Sequence, residues 1–197
     1  VEDGGVQVRA GRIERLCRSR AEARRAGGES EDLGDVVLLP GFVAAHTHLD
    51  LSGTAGLVAP GRVFPDWIRA LLRVRATLDP DALDRAARAG AERLLAGGTT
   101  SVGDIDASGR LARVAGGLPL RVRRYREVLD AGDGARTAAA VGALDGVARG
   151  GPLWTEGISP HAPYTVSPEL WAELARIARR RRVPLAIHWA ETRAERE

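Results

Sequence analysis

The stretch Gly41-Phe-Val-Ala-Ala-His-Thr-His-Leu-Asp50 is an apolar run that closes on two histidines one residue apart. Successive side chains of a β-strand point to opposite faces, so His46 and His48 project to the same side. Two imidazoles on one side can bind one ion together, and a solvated or packed pair would give the same pattern. The stretch predicts a strand from Phe42 to His48 with a candidate metal site at its carboxyl end.

The chain has two further histidines, and each of them also follows a strand pattern. His161 lies in Ser159-Pro-His-Ala-Pro-Tyr-Thr165, and His188 ends an apolar run that begins at Val183. A catalytic zinc site typically takes three protein ligands and leaves one position for water. The candidate metal ligands are His46, His48 and His188.

Strand and helix patterns alternate along the rest of the chain. Strands are predicted at 42–48, 100–105, 120–128, 155–159 and 183–188, and helices at 65–76, 80–96, 135–148 and 168–180. Five such strands fit either an open doubly wound sheet or an incomplete eight-stranded barrel. No Gly-x-Gly-x-x-Gly follows the first strand, and the histidines gather at carboxyl ends of strands, where barrel enzymes keep their active sites. We therefore predict an α/β fold, a partial TIM (β/α)8 barrel of about strands 1–5.

The first 40 residues have a different pattern. Gly5 to Leu16 alternates apolar and polar residues about Ala10-Gly11, which predicts a half-buried antiparallel hairpin. Arg18 to Gly34 is polar and glycine-rich, and we expect an exposed loop there. The domain boundary is therefore expected near residue 40.

Composition bounds the class of protein. The net charge of +3 over 197 residues is too small to indicate a nucleic-acid binder, a class that would rest only on the arginines of 121–126 and 179–182. No apolar run approaches the roughly 20 residues that span a bilayer. Cys17 is the single cysteine, which excludes an internal disulfide and fits a reducing, cytoplasmic location. The chain starts at Val1 and contains no methionine, so we expect it to be a fragment.

Four motifs, in this order, resemble the amidohydrolase superfamily in its branch of hydrolytic deaminases and chlorohydrolases. They are Pro40-Gly-Phe-Val-Ala-Ala-His-Thr-His48, Gly98-Thr-Thr-Ser-Val-Gly-Asp104, Ser159-Pro-His-Ala-Pro-Tyr-Thr165 and His188-Trp-Ala-Glu-Thr192. The resemblance implies that 41–197 form part of the hydrolase barrel and that 1–40 form part of a small N-terminal β-sandwich domain.

The resemblance also implies roles for the polar residues. One divalent ion, zinc in preference to iron, would be bound by His46, His48 and His188. Glu191 would be the catalytic proton shuttle, and His161 would contact the substrate. Asp104 and Glu127 also lie near strand ends, where each would either face the pocket or cap the next helix.

The activity implied is hydrolysis of a carbon–nitrogen bond in a small-molecule substrate. Deamination of a purine-like or other aromatic heterocycle is expected, and His46 to Ser52 followed by Phe64 to Ile68 favours an aminofutalosine-type deaminase. The alternatives are a triazine-type chlorohydrolase and a catalytically inactive barrel that serves as a binding module. No nucleic acid or membrane partner is expected, and a homo-oligomer is left open.

The chain departs from the family pattern at its end. The aspartate of the eighth strand and the histidine of the sixth have no counterpart before Glu197. An unclosed parallel barrel leaves a bare strand edge. We therefore expect these 197 residues, expressed alone, to be unstable and inactive, and the intact gene product to continue further.

Overall fold

The computed structural model describes residues 3–60, 63–144 and 152–195. The chain divides into two compact units, Val1–Pro40 and Gly41–Glu197. No helix within the described ranges is long and apolar enough to cross a membrane.

The first unit is a hairpin followed by a short helix. Strands β1 (Gly5–Arg9) and β2 (Arg12–Cys17) pair antiparallel, which confirms the predicted hairpin. The expectation of a half-buried hairpin is wrong for its larger side chains, because Val8, Ile13 and Leu16 are exposed and only Cys17 is buried. The assignment of residues 1–40 to a β-sandwich domain stays a prediction.

Helix α1 (Arg20–Ala26) occupies part of the segment for which we expected an exposed loop. The Ser19 hydroxyl accepts a hydrogen bond from the Glu22 backbone amide, and the Glu22 carboxylate accepts one from the Arg18 amide. The helix ends at Gly27, whose φ of 71° is one that glycine adopts without strain. The spacing Ser19-x-x-Glu22 is a helix-start signal that the loop prediction overlooked.

The second unit is a parallel sheet flanked by helices. Strands β3 (Phe42–Thr47), β4 (Thr99–Asp106), β5 (Arg121–Val128) and β6 (Trp154–Pro160) pair in that order, each parallel to the next. The helices are α2 (Phe64–Thr77), α3 (Pro80–Ala96), α4 (Leu111–Val114), α5 (Thr137–Gly142) and α6 (Pro168–Arg181). Short 3₁₀ turns lie at Leu49–Thr54, Gly134–Arg136 and Arg193–Glu195. The arrangement confirms the α/β expectation of parallel strands separated by helices.

Local capping explains where α3 and α6 begin. Asp79 and Ser167 each accept a hydrogen bond from the amide three residues ahead, and each precedes a proline at the first helical position. The apolar sides of these helices then cover the sheet. Leu170, Leu174 and Ile177 of α6 are almost fully buried, as the spacing of the stripe predicts.

Two predicted elements differ from the structure. Among the described residues, the helix expected at 135–148 takes the form of the 3₁₀ turn and the six residues of α5, and the part of that prediction at 145–148 lies outside the described residues. The strand expected at 183–188 forms only an isolated parallel bridge between Leu185 and Ile158. Pro184 has no backbone N–H to donate, so the segment lies beside β6 with a sparse ladder of hydrogen bonds.

Candidate metal centre and its surroundings

The carboxyl ends of the parallel strands bring three histidines together. His46 lies in β3, and His48 follows that strand directly. His188 is the last residue of the segment 183–188, which lies beside β6. The Nε2 atom of His48 is 3.1 Å from that of His46 and 3.2 Å from that of His188. The three expected ligands therefore point at one another, with ligand atoms within 4.8 Å.

A hydrogen bond fixes the proton of the most buried member, His188. Its backbone N–H and its Nδ1 atom both lie within 3.0 Å of the His161 carbonyl oxygen, which can only accept. Nδ1 therefore carries the proton of the neutral ring, and Nε2 keeps its lone pair. His188 thus faces the cluster with a free ligand atom.

Burial disfavours a charge on the other two histidines. Burial lowers the pKa of His46 and lowers that of His48 to about 4, and a positive charge on His188 would lower both further. Three neutral nitrogens at contact distance repel one another unless a shared positive group lies between them. A donor set of imidazole nitrogens suits a borderline divalent cation, so the residues present fit a divalent metal ion.

Asp104 supports the turn that carries these histidines. Its Oδ1 atom accepts hydrogen bonds of 2.8 Å from the Thr47 hydroxyl and from the Leu49 amide, the residues on either side of His48. Burial raises the pKa of this carboxyl to about 7. A carbon side chain at Gly103 would collide with the carbonyl oxygen of Ala45, so glycine permits the close approach of the two strands beside His46.

His161 follows β6 and lies against the cluster, with its ring centroid 5.1 Å from that of His188. Its Nδ1 atom is 2.7 Å from the Thr165 hydroxyl, which donates its own proton to the Ala162 carbonyl. The hydroxyl oxygen therefore accepts from Nδ1–H, and Nε2 is left as an acceptor. Burial lowers the pKa of His161, which keeps the ring neutral.

Glu127, near the end of β5, is the second carboxylate that we expected either to face the pocket or to cap a helix. Its Oε1 atom is 4.0 Å from His161 Nε2 and 3.9 Å from His188 Nδ1, and it makes no hydrogen bond within the described ranges. Burial raises the pKa of Glu127 to about 7, and the carboxylate of Asp50 adds to the shift. Glu127 lies beside the histidine cluster, so it faces the site and does not cap a helix.

Glu191 lies in the exposed segment after His188. Its Oε2 atom accepts a hydrogen bond of 3.0 Å from the Tyr164 hydroxyl, and Glu195 accepts from the backbone amides of Ala190 and Glu191. A cavity of about 640 Å³ opens beside this contact, lined by Phe64, Pro65, Ile68, Arg69, Pro163, Tyr164, Thr192 and Glu195. The sequence did not single out Tyr164 or Glu195, although Tyr164 lies three residues from His161.

Asp50 and Arg75 form a half-buried pair behind His48, with Arg75 Nη2 donating to Asp50 Oδ2 at 2.8 Å. Burial raises the pKa of Asp50, and the guanidinium of Arg75 partly offsets that shift. Arg75 also disfavours a proton on His48. Arg75 therefore adds a small contribution to the lowered pKa of that imidazole, after burial and the neighbouring histidines.

Comparison with known proteins matches the chain to one family. The family described as the amidohydrolase family matches residues 37–197. A relative from Nitratidesulfovibrio vulgaris (strain DSM 19637 / Miyazaki F), named 5-methylthioadenosine/S-adenosylhomocysteine deaminase, is 33% identical over 207 residues, which cover 99% of this chain and 46% of the relative. The chain thus spans about half the length of that curated relative.

Two solved structures share the fold. Aminofutalosine deaminase of Helicobacter pylori in complex with methylthio-coformycin matches 98% of this chain and 47% of its own, with a TM-score of 0.83 and 21% identity. An adenosine deaminase of Xanthomonas campestris with bound zinc matches 99% of this chain and 46% of its own, with a TM-score of 0.78 and 24% identity. At these identities the likeness establishes the fold, the partial barrel expected from the sequence.

Proposed function

Because this chain belongs to the amidohydrolase family, we propose that its protein is a metal-dependent hydrolase that deaminates a purine-like heterocycle. The observation that carries the proposal is the convergence of the Nε2 atoms of His46, His48 and His188 at 3.1–3.2 Å. We propose that these three atoms hold one divalent ion, zinc in preference to iron. When bound, such an ion lowers the pKa of a water molecule toward neutrality.

Glu191 would carry both proton transfers. It would accept the first proton of the attacking water and pass it to the ring nitrogen, and would then accept the second proton of the same oxygen and pass it to the departing amine. The oxygen of water bonds to the ring carbon, the carbon–nitrogen bond breaks, and ammonia leaves. One carboxylate suffices for both proton transfers, because it returns to its ionised state after each proton has passed to the substrate.

His161 would contact the substrate through Nε2, which the Thr165 contact leaves as an acceptor. Glu127 Oε1 lies 4.0 Å from that nitrogen and lacks a hydrogen-bond partner in the described residues. Two neighbouring acceptors suit the two N–H bonds of an exocyclic amino group, which an amino-substituted heterocycle carries. This chemistry supports an aminated heterocycle as the substrate class.

The substrate within that class is part of the proposal. The sequence favours an aminofutalosine-type nucleoside, and the relative named above acts on 5-methylthioadenosine and S-adenosylhomocysteine by its name. The cavity of about 640 Å³ lies within the size range of small-molecule sites. The panel to test is therefore a set of 6-aminopurine nucleosides that differ at the 5′ position.

The test combines ammonia release with metal analysis of the intact gene product. We expect turnover of at least one nucleoside and about one transition-metal ion per chain. Replacing His46 and His48 with alanine should abolish both. His161→Ala is the matched control, because it removes the fourth imidazole and should lower turnover while the metal remains bound.

Other outcomes would contradict the proposal. Full turnover by the metal-free His46→Ala/His48→Ala protein would exclude the metal-dependent mechanism. Chloride release from a chlorotriazine without ammonia release from any nucleoside would instead favour a chlorohydrolase. A gene product that binds the heterocycle and turns none of it over would favour an inactive binding module.

A further inference from the structure

The backbone that carries Glu191 is fixed by Glu195. The two carboxylate oxygens of Glu195 accept hydrogen bonds of 2.9 and 2.7 Å from the amides of Ala190 and Glu191. Ala190 has a φ of 55°, a left-handed conformation that is unfavourable for alanine and needs such support. These contacts set the path of the main chain, but they leave the torsions of the Glu191 side chain free.

Tyr164 supplies the contact that the side chain of Glu191 otherwise lacks. Its hydroxyl donates to Glu191 Oε2 at 3.0 Å, the one hydrogen bond to that carboxylate within the described residues. Tyr164 follows β6 on the same loop as His161, and the two rings meet edge to face at 6.2 Å. One side chain therefore joins the loop that carries His161 to the loop that carries Glu191.

We propose that Tyr164 is a positioning residue that holds Glu191 Oε2 and leaves Oε1 to move the proton in deamination. The inference rests on the proposed function, because it assigns Tyr164 a role only through Glu191. A carboxylate on a mobile side chain spends much of its time in rotamers that cannot reach the substrate, and misplacement by about 1 Å can cost about 100-fold in rate. A neutral donor at one oxygen removes most of those rotamers.

The chemistry of Tyr164 suits that role. Burial raises the pKa of its phenol to about 12, and the hydrogen bond to Glu191 contributes to the shift. The phenol therefore keeps its proton at any working pH and remains a donor. The ring also forms part of the wall of the cavity, so a competing role in substrate binding must be separated by experiment.

The test is Tyr164→Phe in the intact gene product, measured with the best nucleoside of the panel. We expect kcat to fall about 10- to 100-fold, with KM within about twofold and the metal content unchanged. Tyr125→Phe is the matched control, because Tyr125 is the other tyrosine of the chain and its change removes the same hydroxyl. We expect that control to leave kcat and KM within about twofold of wild type.

If the wild-type protein is active, either of two results would overturn the inference about Tyr164 and leave the proposed function standing. Unchanged kcat in Tyr164→Phe would show that Glu191 needs no such support, and a raised KM with unchanged kcat would make Tyr164 a wall of the binding pocket. If wild type released no ammonia from any nucleoside, the proposed function would fail, and the inference would fall with it. The wild-type assay therefore separates the two failures.

Discussion

His188 shows how a single side chain is prepared for its role. Its Nδ1–H and backbone N–H share the carbonyl oxygen of His161, so the ring can turn only one nitrogen toward His46 and His48. A hydrogen bond on the far side of a ligating imidazole fixes the tautomer and the ring direction. The backbone carbonyl of His161 thus orients the ring of His188 without itself lying in the cluster.

Glu191→Gln tests the proposed proton shuttle at the scale of one atom. The amide has the shape of the carboxylate but cannot accept the proton of water, so we expect turnover to fall by about 10²- to 10⁴-fold. Metal content should not change, because Glu191 is not among the three nitrogen ligands that we propose. Ammonia release and metal analysis on the same preparation give both quantities.

Glu173→Gln is the control for that substitution. Glu173 lies on α6 and pairs with Arg176, away from the histidine cluster, so the same chemical change there should leave turnover unaltered. Loss of metal from Glu191→Gln would contradict the proposed role and would make Glu191 a metal ligand.

At the scale of elements, the start of α6 depends on a carboxylate from a distant turn. Asp130 Oδ1 accepts from the amides of Ser167 and Gly132, and Oδ2 accepts from the hydroxyls of Ser167 and Thr137, at 2.6–3.2 Å. The Ser167 hydroxyl in turn caps α6 by accepting from the Leu170 amide. Burial opposes ionisation of Asp130, but the hydrogen bonds outweigh it and hold its pKa below the ordinary value of 3.8.

Asp130→Asn should therefore destabilise the protein in a way that depends on pH. At neutral pH we expect a loss of about 1–3 kcal/mol in the free energy of unfolding, because Asn offers a single acceptor oxygen. The folded-state pKa is depressed, so the contribution of Asp130 is complete above 3.8 and is lost as pH falls through the lower folded-state value. Urea unfolding at about pH 7 and about pH 3 measures the difference.

Asp133→Asn is the matched control for this element. Asp133 lies three residues away with a side chain that is 50% exposed, and it caps a short turn through the Ala135 amide. Asn caps as well as Asp, so the change should have little effect at either pH. An equal effect at both positions, or a loss at Asp130 that does not shrink in acid, would contradict the account.

Local sequence predicts the starts of two helices correctly but not the segment 183–188. Proline after a capping residue located the starts of α3 and α6 at Pro80 and Pro168. The segment 183–188 was predicted as a strand from its apolar residues, but strand formation depends on the hydrogen-bond partners that a neighbour supplies. Pro184 lacks a backbone N–H. A pattern of apolar residues does not show how many hydrogen bonds a neighbouring strand will form with the segment.

For the molecule as a whole, the sheet of the second unit has an apolar edge. Phe42 and Val43 of β3 are 59% and 69% exposed, and β3 pairs with β4 alone among the described strands. Parallel sheets normally cover such strands on both faces, and a bare edge invites pairing between chains. We therefore predict that the 197-residue chain, expressed alone, self-associates and melts without a cooperative transition.

Val43→Lys tests this prediction, because a charge on an edge strand opposes pairing between chains. We expect sedimentation velocity to show less association at every concentration than for the unaltered chain. Val37→Lys is the control, since Val37 is 82% exposed and lies outside the strands. A chain that stays monomeric at high concentration and melts cooperatively would contradict the prediction.

The sequence by itself determined the alternation of strands and helices, the caps of α3 and α6, and the position of His46, His48 and His161 at the ends of strands. These follow from propensity and periodicity over a few neighbouring residues, and a resemblance in four short motifs added the proposed roles. Even the missed helix α1 left a local signal in Ser19 and Glu22.

Only the tertiary structure decided which groups meet. His48 and His188 are 140 residues apart in the chain, and their Nε2 atoms come within 3.2 Å because β3 and the segment that lies beside β6 end at the same edge of the sheet. The anchoring of the His48 turn by Asp104 and the contact of Tyr164 with Glu191 likewise depend on loops that are remote in sequence. Such contacts depend on the packing of whole elements, and no pattern within one segment contains them.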